Sequence, residues 1–187
     1  MAVALFGGAF DPPHNGHVAL VRAAKERFGL PVIVLVSEHP GHKAVDLPAD
    51  VRLELAHAAF PDDEVRLDVH ARTVDLLRAE HFPDPLFVIG ADQFLDLLGW
   101  KEPQAVLELA RLAVATRPGA THAAADEVLR LLAHPERVVF FAIEPNPAAS
   151  RDVRALAAAG ASLDGLVPPA VATLIEERGL YRADCRP

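Results

Sequence analysis

Apolar residues along this chain fall into short β-branched runs that alternate with longer stretches of helical period. The runs predict strands at Ala2–Phe6, Pro31–Val36, Glu64–Asp68, Leu86–Ile89, Leu112–Ala115 and Val138–Phe141. The stretches between them predict helices at Asn15–Phe28, Ala49–Ala59, Thr73–His81, Gln104–Ala110 and Ala123–Ala133. Strands that alternate with helices in this way imply an α/β fold, a Rossmann-like doubly wound parallel sheet covered by helices on both faces. After Phe141 the pattern changes, and residues 145–187 read as a small C-terminal helical segment with helices at Arg151–Ala159 and Pro169–Arg178. No internal repeat or low-complexity segment interrupts this order, and the alanine richness raises helix propensity without bearing on function.

At 187 residues and 51% apolar content, the chain is long enough for one sizeable core and short for two, so residues 1–187 are expected to form a single domain. The net charge of −8 argues against a nucleic-acid partner, because backbone affinity needs clustered Lys and Arg. An anionic substrate must then be held by a local basic pocket. The lone Cys185 cannot form an internal disulfide. With no secretory leader pattern and no apolar run long enough to span a bilayer, the expectation is a cytoplasmic protein without a membrane partner.

The chemistry concentrates directly behind the first predicted strand, in Gly7-Gly8-Ala9-Phe10-Asp11-Pro12-Pro13-His14-Asn15-Gly16-His17. The glycines let the backbone turn and approach a ligand closely, and exposed N–H groups in such a turn can face an anion. Pro12 and Pro13 end any strand, and His14 and His17 then sit three residues apart at a helix start, where the helix dipole favours a phosphate. Imidazole can donate to phosphate oxygens in either protonation state. Read singly, each histidine is as well explained by a helix cap, and the glycine pair by a turn.

Taken whole, the string resembles the G-G-x-F-D-P-x-H-x-G-H signature of the bacterial nicotinate mononucleotide adenylyltransferases, members of the nucleotidylyltransferase superfamily. The resemblance continues through nearly all of the chain. Pro40-Gly41-His42-Lys43 stands where that family has a P-P-H-K loop, which implies that Lys43 brings positive charge to phosphate; Arg52 opens the helix beyond it and either serves the site or pairs with Asp50 and Glu54 on a solvated helix face. Gly90-Ala91-Asp92-Gln93, with Trp100 eight residues past Asp92, is similar to the family's G-A-D-x(7)-W segment. On physical grounds Asp92 can accept from ribose hydroxyls or cap the following helix, and Trp100 can stack on a flat heterocycle or fill the core. Lys101 replaces the aromatic residue or histidine often found after that Trp.

Arg72-Thr73-Val74-Asp75 is similar to S-Y-T-x-D, which implies a place in the nicotinate pocket. Arg72 departs from the common Tyr; its guanidinium either binds a nicotinate carboxylate or points to solvent, and Thr73 is equally readable as a helix cap. Ala148-Ala149-Ser150-Arg151-Asp152-Val153-Arg154 is the weakest match, to I-S-S-T-x-I-R. It implies that Ser150 and Arg151 bind ATP phosphates and that Arg154 neutralises charge, although Ala149 lacks a hydroxyl and Arg151 occupies the Thr position. Leu166-Val167-Pro168-Pro169-Ala170-Val171 and Ile175–Tyr181 resemble the family's C-terminal helix.

The resemblance implies transfer of an adenylyl group from ATP to nicotinate mononucleotide. Catalytic roles fall to His14, His17, Lys43 and Arg154, nucleotide binding to Gly7, Gly8, Ala9, Phe10, Gly90, Asp92, Ser150 and Arg151, and acceptor binding to Arg72, Thr73, Trp100 and Lys101. No Asp, Glu and His set has spacing that demands a tightly held metal, so Mg2+ is expected to arrive with ATP. Rival readings are a nicotinamide mononucleotide or phosphopantetheine acceptor, a cytidylyltransferase, a nucleotide-binding protein that has lost catalysis, and a tRNA synthetase fragment sharing H-x-G-H. The last is disfavoured by the negative charge and short chain.

Overall fold

The computed structural model describes residues 2–41, 44–117 and 123–182. Six strands, β1 (Ala4–Gly8), β2 (Val32–Ser37), β3 (Glu64–Asp68), β4 (Leu86–Gly90), β5 (Arg111–Thr116) and β6 (Val138–Ala142), form one sheet in the order β3-β2-β1-β4-β5-β6. Every neighbouring pair is parallel. This is the doubly wound arrangement, whose strand order reverses between β1 and β4.

The sequence pattern explains which strands lie where. Residues Val32–Val36, Leu86–Ile89 and Leu112–Ala115 are buried without interruption, as expected of central parallel strands covered on both faces. The edge strands β3 and β6 have mixed burial. Helices α1 (Asn15–Phe28), α2 (Ala49–Ala59), α7 (Ser150–Ala158) and α8 (Pro169–Glu177) bury Leu20, Leu55, Val153 and Val171 in a core on one face of the sheet. Helices α3 (Thr73–Ala79), α4 (Ala91–Leu95), α5 (Pro103–Leu109) and α6 (Ala123–Arg130) bury Val74, Phe94, Val106 and Val128 in a second core on the other. The C-terminal helices thus share the first core with α1 and α2. No helix among the described residues is long and apolar enough to cross a membrane.

Two details of the first strand correct the sequence expectation and create the site. β1 runs to Gly8, two residues beyond the expected Phe6, because Gly7 and Gly8 continue the ladder opposite Leu35 and Val36 of β2. On its other side β1 pairs with β4 only as far as Phe6, opposite Val88. From Gly7 onward the carboxyl ends of β1 and β4 diverge, and the crevice that doubly wound sheets use for ligands opens there. The short helix α4 was not expected; its five residues carry too little periodicity to announce themselves.

Candidate active site

A cavity of about 560 Å³ opens at these strand ends. Its floor is Gly7, Gly8 and Ala9, and its walls include Arg72, Thr73, Trp100 and Lys101, so the structure brings together seven of the residues singled out in the sequence. Ser37, His39, Asp68, His70 and Gln93 also line it and were not anticipated. Trp100 packs against the second core and also lines the cavity. Lys101 turns its ammonium to Asp75, 2.8 and 3.1 Å from the two carboxylate oxygens. Arg72 is the exposed N-cap residue of α3, without a side-chain cap bond, and its Nη1 donates to the Ala71 carbonyl at 2.9 Å. Thr73 is therefore not the cap.

Beside the cavity, the loop after β1 is folded around two imidazoles. His14 is the N-cap of α1 rather than part of it; the Gly16 N–H donates to His14 Nδ1 at 3.1 Å, and the His14 N–H donates to His17 Nδ1 at 3.2 Å. The rings stack with centroids 3.7 Å apart. The cap reading of the histidines holds, and the reciprocal cap occupies each Nδ1, which leaves the proton of a neutral ring on Nε2. Burial lowers the His14 pKa from 6.5 to about 4, so at neutral pH its Nε2–H is an uncharged donor. Gly16 has to lack a side chain, because a Cβ would stand 3.0 Å from the His14 ring. Gly8 is under the same demand from Phe10, whose ring would lie 2.9 Å from an added Cβ.

The Phe10 side chain is 1% exposed, packed edge-on against Phe6 and His17, and shapes the loop from below. Arg52 is also 1% exposed, which removes the solvated-face alternative of its two readings. It donates to the carbonyls of Ala9 and Ser37 at 2.7 Å each and of Leu47 at 3.0 Å, tying the loops after β1 and β2 together. Glu54 pairs with Arg178 instead. Burial lowers the Arg52 pKa, and the nearby Asp11 carboxylate opposes that shift.

The start of α7 closes the other side of the histidine loop. Ser150 Oγ donates to the Pro12 carbonyl at 2.9 Å, and Arg154 Nη1 donates to the Asp11 carbonyl at 2.7 Å while Nε lies 3.4 Å from Asp46. Ser150 thereby holds the loop, and Arg154 stands over it. Two helix N-termini, those of α1 and α7, meet at residues 11–14, an arrangement suited to anions. Arg151 makes no contact with this loop: its side chain is 86% exposed and paired with Asp152. Asp11 is buried, accepts from the Tyr181 hydroxyl at 2.9 Å and from the Asp46 N–H, and no feature of the sequence alone pointed to this clamp. Burial and the Asp11 carboxylate keep the Tyr181 phenol protonated well above its ordinary range.

At the end of β4, Gly90 is the N-cap of α4, and its N–H is met by Gln93 Oε1 at 3.3 Å. Asp92 is thus not the cap; it lies exposed in the first turn, outside the lining of the cavity. His42 and Lys43 lie outside the described residues. Among the described residues no group of three or more His, Cys, Asp or Glu is placed to hold a metal ion.

A reversing parallel sheet with a glycine floor, paired imidazole donors and converging helix N-termini defines a nucleotidyltransferase site. Residues 5–156 match the family model described as cytidylyltransferase-like. The chain is 34% identical to a "Probable nicotinate-nucleotide adenylyltransferase" of Rubrobacter xylanophilus, over 100% of this chain and 94% of that one. It is 36% identical to a protein of the same name from Thermus thermophilus, over 97% of this chain and 100% of that one. The chain belongs to the nicotinate-nucleotide adenylyltransferase family, within the cytidylyltransferase-like proteins. A solved structure of Plasmodium falciparum nicotinic acid mononucleotide adenylyltransferase complexed with NaAD has the same fold, with a TM-score of 0.75 at 14% identity over 96% of this chain and 97% of that one.

Proposed function

We propose that the protein transfers the adenylyl group of ATP to nicotinate mononucleotide, giving nicotinate adenine dinucleotide and pyrophosphate. The observation that supports this reading is a cavity bordered by Gly7–Ala9 and Trp100 at the strand ends, with the stacked imidazoles of His14 and His17 on the loop that follows. An acceptor phosphate oxygen attacks the ATP α-phosphorus; its bond to phosphorus forms as the bond to the bridging oxygen breaks, and that oxygen leaves with pyrophosphate. The acceptor phosphate is already anionic near neutrality, so the protein has no proton to remove. Its work is alignment and charge compensation.

His14 and His17 supply preorganised Nε2–H donors to phosphate oxygens, at no cost in rotamer freedom because the cap already fixes both rings. Arg154 offsets charge on the polyphosphate, and Lys43 adds to it from the neighbouring loop. Gly7, Gly8, Ala9 and Gly90 border the nucleotide, with Asp92 available to ribose hydroxyls, while Thr73, Trp100 and Arg72 surround the pyridine ring. Mg2+ enters as part of the MgATP substrate, on phosphate oxygens. The cytoplasm, where the lone Cys185 stays reduced, is the setting that suits these substrates.

Purified protein with ATP and Mg2+, offered nicotinate mononucleotide, nicotinamide mononucleotide and phosphopantetheine separately, should release pyrophosphate fastest with the first. Turnover confined to phosphopantetheine, or to none of the three, would sink the reading.

A further inference from the structure

At the wall of the cavity the chain carries a second imidazole, and it is wired differently from the pair at the phosphate corner. β3 ends at Asp68, and its Oδ1 accepts both the backbone N–H and the Nδ1–H of His70, each at 2.9 Å. The two side chains are 13% and 22% exposed, and both residues line the cavity with Thr73, Trp100 and Lys101. A carboxylate only accepts, so the neutral His70 ring carries its proton on Nδ1 and a lone pair on Nε2. That is the tautomer opposite to His14 and His17. The protonated ring adds a donor at Nε2, so the edge left to the cavity accepts in one state and donates in the other.

We propose that His70, held by Asp68, reads the 3-substituent of the acceptor's pyridine ring, donating to a carboxylate when protonated and accepting a carboxamide N–H when neutral. This deepens the proposed function and rests on its pyridine mononucleotide acceptor. Preference for the acid then depends on pH. The charges around His70 come from each neighbouring element: Asp68 on β3, Asp75 on α3, Lys101 before α5, Arg72 at the α3 cap, and the Glu38–His39 pair after β2. Lys101 is neutralised by Asp75, and the Arg72 guanidinium is turned to the Ala71 carbonyl.

Arg72 offers a contrast within the same wall. A guanidinium stays charged at every accessible pH, so whatever preference it confers is constant, whereas an imidazole can gain or lose a proton. The test compares kcat/KM for nicotinate and nicotinamide mononucleotides from about pH 5.5 to about pH 8.5, a range that spans ordinary imidazole titration. The two acceptors share the phosphate ionisation, which cancels in the ratio, and the nicotinate carboxylate stays ionised throughout.

The wild-type acid-to-amide ratio should fall about tenfold or more as pH rises, as expected for gain or loss of one charge-assisted bond. His70→Gln should flatten the profile, and Arg72→Ala should lower the ratio evenly while keeping the slope. A wild-type ratio that does not change with pH, or an identical slope in His70→Gln, overturns the proposal while both mononucleotides are still turned over. If neither mononucleotide is turned over, the proposed function fails first and takes this proposal with it.

Discussion

His14 couples the start of α1 to acid stability, and the size of that coupling follows from its environment. In the folded chain its pKa is lowered from 6.5 to about 4 by burial, so the unfolded chain binds a proton more readily than the folded one. Stability is therefore fully present above pH 6.5 and is lost as pH falls toward 4. At about 1.4 kcal/mol for each tenfold difference in proton affinity, the whole loss is about 3 kcal/mol, of which about 2 kcal/mol is gone by pH 5. Against a total stability of about 5–15 kcal/mol for an ordinary domain, this is large enough to see. His14→Asn removes the titration while leaving a side-chain oxygen able to accept the Gly16 N–H as an N-cap. Urea unfolding at a series of pH values from about 7.5 to about 4.5 should show wild-type stability falling relative to the variant by about 2 kcal/mol or more. Equal acid sensitivity in the two proteins would refute the buried neutral imidazole. Saturating pyrophosphate should narrow the difference, since an anion beside the ring favours its protonated form.

His17→Ala should lower turnover about 100- to 1000-fold, the usual cost of one preorganised donor, and near-normal kcat with an unchanged melting temperature would remove His17 from the reaction. Trp100→Ala should raise the KM for the acceptor more than that for ATP; equal increases would make the indole core filler alone. Arg52→Met should cost about 3 kcal/mol or more in urea unfolding, because it leaves the Ala9, Ser37 and Leu47 carbonyls without their donor. A loss below about 1 kcal/mol would show that those carbonyls find other partners. Tyr181→Phe should raise the KM for ATP and cost about 1–3 kcal/mol by stripping a buried carboxylate of a hydrogen bond; unchanged values of both would dissolve the clamp.

The alternation of apolar runs made the sheet, its strand count and the two-sided helical cover readable, because central parallel strands cannot tolerate polar interruptions. The pairing of His14 with His17 was legible for a similar reason, since a fixed local spacing places both groups on one turn. Arg52 was not, because Asp50 and Glu54 beside it give the same local pattern as an exposed ion-paired helix; only the meeting of three loops reveals that its guanidinium has carbonyls to satisfy. The direction of the Phe10 ring was not legible either. The residue sits in a loop signature next to the glycines, yet a positive φ of 51° turns its ring inward beneath them. Gln93 stood hidden beside the more conspicuous Asp92, although it is the amide that closes the α4 cap. His70 belongs to no periodic pattern at all, and its significance depends on a carboxylate two residues away that any surface loop might have carried.

The hydrogen bond between Tyr181 and Asp11 joins groups 170 positions apart. A ribosome emits the glycine floor and both imidazoles early, and the strands and helices around them can begin to pack while the chain is still growing. One oxygen of the Asp11 carboxylate lacks its donor until Tyr181 emerges from the exit tunnel, after α7 with Arg154. Nascent chains stalled short of Tyr181 should accordingly carry the sheet but lack the finished clamp behind the histidine loop.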